Sequence, residues 1–304
     1  MRSEVLFSDT QRILELAGYR YWTASLLPAL IGSILPFWLQ PPGFSFRWLA
    51  AMEFIVGTLL IHAGFSSLHT WVQAGFRART TPESISSWLI SGGVLGIGAG
   101  CLIGMHLNSG LSLHDGVPKT IFIIYGLATL IAGAFYVIPP ASFWRRAGGE
   151  VVLCEGLGLL PILGAYLVQV GDISRTVYLA SLPVVVATGL WVWMDELITG
   201  DLDRKQERQT MVILFGPRFS ALVGTTALSG LYYVALFVAV LSASLSPLAL
   251  AALVLLGLVR RILISSWRHY NYPGKLLASR DQAFHLHLFT GVIMILSSLV
   301  PLVF

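Results

Sequence analysis

The sequence predicts an all-α, polytopic membrane protein: one transmembrane domain over residues 1–304, built as a bundle of nine helices. Three observations carry this reading. Of the 304 residues, 56% are hydrophobic and only 11% are charged, and the mean hydropathy is +0.77, a composition outside the range of soluble domains. Apolar stretches near 22–40, 48–73, 85–107, 119–138, 150–170, 174–197, 216–241, 246–266 and 283–303 are each long enough to cross a bilayer as a helix. The basic residues also sort by loop. Placing the N-terminus and every second connection on one side gives that side sixteen of the nineteen Lys and Arg, and leaves Arg47, Lys119 and Arg175 opposite. The positive-inside rule then puts the N-terminus in the cytoplasm and the C-terminus outside. In a bacterium the chain would sit in the cytoplasmic membrane.

Taken in order, the first twenty residues are mixed polar and lack the apolar centre of a cleaved signal, so they are expected to be an amphipathic lead-in. The first span contains Pro28, a kink that a bundle tolerates. The second carries His62 and His69, seven residues apart and so on one helix face. Two roles fit them: histidines hydrogen-bonded inside a polar cavity, or a catalytic base or metal ligand. The third span contains SGGVLGIGAG, whose small residues suit close helix packing. His106, Asn108, His114 and Asp115 are expected in a solvated outer loop, and His285 and His287 at the lipid–water interface. Cys101 and Cys154 lie in separate apolar stretches, suggesting neither a disulfide nor a metal knuckle. The basic residues are distributed among membrane loops, which argues against nucleic-acid binding.

The most informative stretch is 191–218, WVWMDELITGDLDRKQERQTMVILFGPR. Asp195, Glu196, Asp201, Asp203 and Glu207 gather where a span meets water, with Arg204, Lys205, Arg208 and Arg218 close behind. Carboxylates at membrane depth are costly and face a polar cavity or solvent. Acids for a divalent cation beside bases for phosphate suit diphosphate chemistry; a solvated loop of mixed charge is the plainer alternative.

This stretch resembles the second aspartate motif of the UbiA superfamily of intramembrane prenyltransferases, and is closest to the 1,4-dihydroxy-2-naphthoate polyprenyltransferases, whose pattern is N-N-x-x-D-x-x-x-D-x-x-x-G-K-R-T-L followed by a glycine. Anchored on Thr210, Asp195 and Glu196 take the Asn pair, Thr199 the first Asp, Asp203 the second, Arg208 the Lys and Gly216 the later glycine. Thr199 and Glu207 depart from the pattern. The region FYVIPPASFWRRAGGE…GAYLVQVG is similar to the same branch through Tyr136, Pro139, Pro140, Gly148, Gly149, Glu150, Tyr166, Gln169 and Gly171. The first aspartate motif, N-x-x-N-D-x-x-D in the family, is degenerate: Ser66, His69, Thr70 and Gln73 occupy it, and no carboxylate occurs from His62 to Pro82.

The resemblance implies a cavity that holds an isoprenoid tail within the lipid bilayer. Its polar end would hold a diphosphate, and prenyl transfer would run to an aromatic or quinone-type acceptor, as in menaquinone synthesis. It implies Mg²⁺ on Asp195, Glu196 and Asp203. Arg204, Lys205, Arg208, Tyr136, Arg145, Arg146, Gln73, Thr70 and Thr199 would contact substrate or phosphate. With no acids in the first motif, two other outcomes stay open. One is magnesium-independent cyclisation or isomerisation of a lipid, with Asp195, Glu196, His69 and His62 as acid or base. The other is a non-catalytic isoprenoid-binding protein.

Overall fold

The computed structural model describes residues 21–76, 83–111 and 119–302. Among these every regular element is helical. We label them α1 (Thr23–Ile34), α2 (Trp48–Phe76), α3 (Glu83–Leu111), α4 (Lys119–Val137), α5 (Gly149–Val170), α6 (Arg175–Lys205), α7 (Pro217–Leu241), α8 (Pro247–His269) and α9 (Leu277–Ser298). Seven of the described segments, α2 to α8, are long and apolar enough to cross a membrane. The remaining expected spans differ in kind. The first is shorter, because Pro36 starts a second small helix, Pro36–Leu39. The last begins earlier than its apolar stretch and carries Arg280 and Asp281 in its first turns.

α6 is the axis of the bundle. Val177, Ala180, Val184, Ala187, Leu190 and Met194 are all fully enclosed on it, packed with residues of α1, α5, α7 and α9. It also runs further than its apolar stretch, to Lys205, so the acidic run is helix rather than loop. Arg204 and Lys205 in its last turn complement the helix dipole. α3 and α4 show most of their surface to the outside, as lipid-facing helices do.

Glycine sets the α2–α3 contact, as the sequence leads one to expect. A Cβ on Gly64 would lie 2.7 Å from the Gly93 carbonyl oxygen, and one on Gly100 would lie 2.5 Å from Ile61. Neither fits without separating the helices. Two irregular turns interrupt the bundle: a π-turn at Glu155–Leu159 in α5 and another at Ser220–Gly224 in α7. α8 opens with a 3₁₀ stretch, Pro247–Leu255.

Two expectations for the outer and interfacial residues are corrected. His287 is fully buried, with Nδ1 hydrogen-bonded to the Thr188 hydroxyl at 3.0 Å and Nε2 3.3 Å from the Thr23 carbonyl oxygen. α9 packs on α6 and α1 through this face, so the histidine is a satisfied interior group. His106 and Asn108 lie on α3, which continues to Leu111; His106 is exposed, with Nε2 3.6 Å from Glu53. His114 and Asp115 lie outside the described residues.

The glycine contact makes a prediction. Gly64→Leu should destabilise the protein by about 1–3 kcal/mol through overpacking, while Gly92→Leu, where a Cβ meets nothing within 4 Å, should not. Thermal unfolding in detergent measures both; equal melting temperatures for the two variants would contradict the packing account.

Candidate functional site

Among the described residues the bundle holds a large, partly open cavity of about 990 Å³ between α2, α3, α4, α5 and α6. Phe54 and Gln73 both line it and lie on α2 roughly 28 Å apart at 1.5 Å per residue. It therefore runs through most of the ~30 Å hydrocarbon layer. Its wall is apolar along most of that length. Its charged lining residues, Asp195, Glu196, Asp203 and Arg208, come from α6 and the turn that follows it, with His69, Thr70 and Gln73 opposite on α2.

Two of the three carboxylates already have cationic partners. Asp203 is 1% exposed; Oδ1 accepts from Arg208 Nη1 at 2.6 Å, and Oδ2 accepts from the Thr199 hydroxyl at 2.9 Å. Arg208 also donates from Nε to the Trp144 carbonyl oxygen at 3.1 Å and lies 5.3 Å from the Trp144 ring centroid. Asp195 accepts from the Tyr21 hydroxyl at 2.8 Å and stands 3.7 Å from Arg280 Nη1. Glu196 differs. It is buried, it lines the cavity, and its Oε2 is shielded from solvent with no hydrogen-bond partner. The Glu196 carboxyl is also within hydrogen-bonding reach of the Glu150 carboxyl.

The α4–α5 and α6–α7 connections are stitched together over this end. Glu150 accepts from the backbone N–H of Gly148 and of Met211. Gln209 N–H donates to the Arg145 carbonyl at 2.7 Å, and Arg145 donates to the Gln206 carbonyl at 3.4 Å. Thr210 caps the short helix Met211–Phe215 by accepting from the Ile213 N–H at 3.3 Å. Gly216 follows at φ +81°, a left-handed value that favours glycine. Two residues of the aspartate-motif resemblance thus have local structural roles.

The structure brings most of the expected site residues to this cavity. His62, His69, Thr70, Gln73, Tyr136, Asp195, Glu196, Thr199, Asp203 and Arg208 all line it. His62 is hydrogen-bonded to Ser25 at 2.8 Å, and His69 to Gln73 at 3.1 Å, with the Trp144 and Tyr136 rings 5.0 and 5.6 Å from its own. Other expected residues lie apart. Arg204 and Lys205 are exposed, and Arg204 pairs with Asp201 at 3.2 Å. Arg145 is half-buried behind Trp144. Arg146 is exposed and donates to the Pro140 carbonyl at 2.9 Å. Sequence reasoning missed Tyr21 and Arg280, distant in the chain from Asp195, and the stitching role of Glu150.

The donor set does not fit a resident magnesium site. Asp195, Glu196 and Asp203 are not gathered: among the described residues no three His, Cys, Asp or Glu side chains converge as ligands. The facing residues of α2, His69, Thr70 and Gln73, carry no carboxylate, and Glu196 Oε2 is buried away from the lumen.

No protein-family model matches the chain, and no curated protein matches it. Solved structures do. A UbiA homolog from Aeropyrum pernix K1 is similar at a TM-score of 0.68 and 14% identity, over 91% of this chain and 98% of that one. A digeranylgeranylglyceryl phosphate synthase structure is similar at 0.58 and 12%, over 97% and 98%. A UbiA homolog from Archaeoglobus fulgidus bound to GPP and Mg²⁺ is similar at 0.56 and 15%, over 96% and 99%. At these identities the likeness establishes the UbiA-type fold.

The pairing pattern makes a prediction. Arg208→Leu should cost about 3–5 kcal/mol, because it leaves the buried Asp203 charge uncompensated. Asp201→Ala removes an exposed pair and should cost at most about 1 kcal/mol. Unfolding midpoints of the two variants test this, and similar midpoints would refute the buried-pair account.

Proposed function

We propose that the chain is an intramembrane enzyme of isoprenoid lipids. Its reaction would be prenyltransferase-like, moving a prenyl group from a prenyl diphosphate to an aromatic or quinone-type acceptor. The observation that carries this is the cavity: apolar for most of a membrane thickness and charged at one end. An isoprenoid tail gains free energy from the apolar wall in proportion to the area it buries. Only the head needs polar partners. Arg208 is the lining cation, and Thr70, Gln73 and His69 are hydrogen-bonding groups opposite it. The quinone-type acceptor, with menaquinone chemistry as the model, rests on the resemblance of residues 130–220 and on Tyr136 in the wall.

The reaction can be written on the chain's own residues. The allylic C–O bond breaks and its electron pair leaves with the diphosphate. An acceptor ring carbon forms the new C–C bond. The ring proton then passes to a base, and Glu196, whose side chain lines the cavity at its polar end, is assigned that role. The apolar wall around the lumen disfavours water near the allylic cation. Magnesium would supply leaving-group charge in this chemistry, but the carboxylates as arranged do not form its site, and no step is assigned to it.

That same arrangement favours a second reading. With Asp195 and Asp203 tied to arginines and Glu196 set against the Glu150 carboxyl rather than a cation, Glu196 can instead give a proton to an isoprenoid double bond. Isomerisation or cyclisation would follow, with no diphosphate released and no metal required.

The bundle is read as nine spans in the orientation set by loop charge. A reporter fused after Phe304 should be extracytoplasmic and one inserted beside Lys205 cytoplasmic; the reverse pattern would overturn that orientation. The chemistry is tested with the purified protein in liposomes, a prenyl diphosphate and a quinone-type acceptor, followed by mass spectrometry. Prenyl transfer predicts a prenylated acceptor with equimolar diphosphate. The second reading predicts a rearranged isoprenoid, undiminished by chelator. In both, Glu196→Gln should lower the rate by about 10²–10⁴-fold, while Asp201→Asn leaves it unchanged. Turnover of neither kind would refute the proposal.

A further inference from the structure

The cavity's far half has features that the chemistry at its polar end does not use. Gly104 on α3, Gly126 on α4 and Gly156 in the α5 π-turn all line it, and at each a built Cβ meets no atom within 4 Å. These glycines differ from Gly64 and Gly100, which are small because a neighbouring helix presses on them. Here nothing presses. The missing side chains leave space that belongs to the cavity. Beyond them the lumen ends on Phe54, Leu107 and Phe122, all buried and packed as one apolar cluster. An open stretch bounded by a packed apolar floor is the form of a length gauge.

We propose that Gly104, Gly126 and Gly156 with the Phe54–Phe122 floor set the chain length of the bound isoprenoid. The site would favour a tail of four or more isoprene units over shorter ones. This rests on the isoprenoid reading above and adds to it which tails are taken and which residues decide. The depth supports it. Phe54 lies roughly 22 Å from His69 along α2, so a short tail anchored at the polar end would leave the far half empty. A tail that fills it buries more apolar surface and is held more tightly. A leucine at Gly126 or Gly104 would project into the lumen near its floor and exclude long tails only. One at Gly156, nearer the polar end on α5, would also exclude intermediate tails. Removing the Phe122 ring would deepen the floor.

The experiment measures binding of geranyl, farnesyl, geranylgeranyl and hexaprenyl diphosphates, and of the matching alcohols, to the full-length protein in nanodiscs by native mass spectrometry. Wild type should bind geranylgeranyl at least about tenfold more tightly than geranyl. Gly104→Leu and Gly126→Leu should abolish that preference while geranyl binding stays within about twofold. Phe122→Ala should raise hexaprenyl affinity relative to geranylgeranyl. Gly230→Leu, an open and exposed position on α7 away from the cavity, should leave the series unchanged, and melting temperatures confirm that each variant is folded. A wild type that binds every length equally, or glycine variants that weaken all lengths alike, would overturn the gauge and leave the isoprenoid reading standing. Failure of wild type to bind any of these compounds would overturn the isoprenoid reading itself.

Discussion

Carboxylates at membrane depth must be compensated, and the architecture of the polar end follows from that requirement. α6 carries Asp195, Glu196 and Asp203 into the bundle on one continuous helix. Asp203 is answered by Arg208 and Thr199, Asp195 by Tyr21 and Arg280. These partners come from different parts of the chain. Arg208 anchors the loop after α6 and reaches the Trp144 carbonyl on the loop before α5. Arg280 lies on α9, and Tyr21 immediately precedes α1. Satisfying two charges therefore ties the first and last helices and two connections to the central one.

Glu196 departs from this logic. A buried carboxyl oxygen without a partner is expensive, and such groups persist where a ligand or proton completes them. In the resemblance this position and Asp195 correspond to neutral asparagines, while Thr70 and Gln73 on α2 correspond to the two aspartates of the first motif and His69 to an asparagine. Two arginines hold two aspartates here, whereas Glu196 meets another carboxyl, that of Glu150. The long apolar lumen behind it matches a hydrocarbon chain rather than a compact solute.

Much of this was legible in the sequence because it is local. Hydropathy and loop charge gave the helical class and the membrane setting, and the i, i+7 spacing of His62 and His69 put both in one cavity wall. The acidic run pointed to α6. What stayed hidden depends on pairing between distant segments. Nothing near Asp195 in the chain announces Arg280 or Tyr21. Charge alone could not say that α6 would extend to Lys205 and turn Arg204 and Lys205 outward while Arg208 folds back. His287 looked interfacial because polar residues precede it, yet the earlier start of α9 buries it against Thr188. The π-turn at Glu155–Leu159 has no simple periodic signature, although π-turns recur at functional sites.

The central claim is that an isoprenoid tail occupies the lumen between α2, α3 and α4, with its head at Glu196 and Arg208. Photocrosslinking with an isoprenoid bearing a diazirine at its distal end, followed by peptide mapping, tests it most directly. The account predicts label on Phe54, Leu107 or Phe122, competed away by unlabelled isoprenoid. Label confined to outward-facing residues such as Val234 on α7, and not competed, would contradict it.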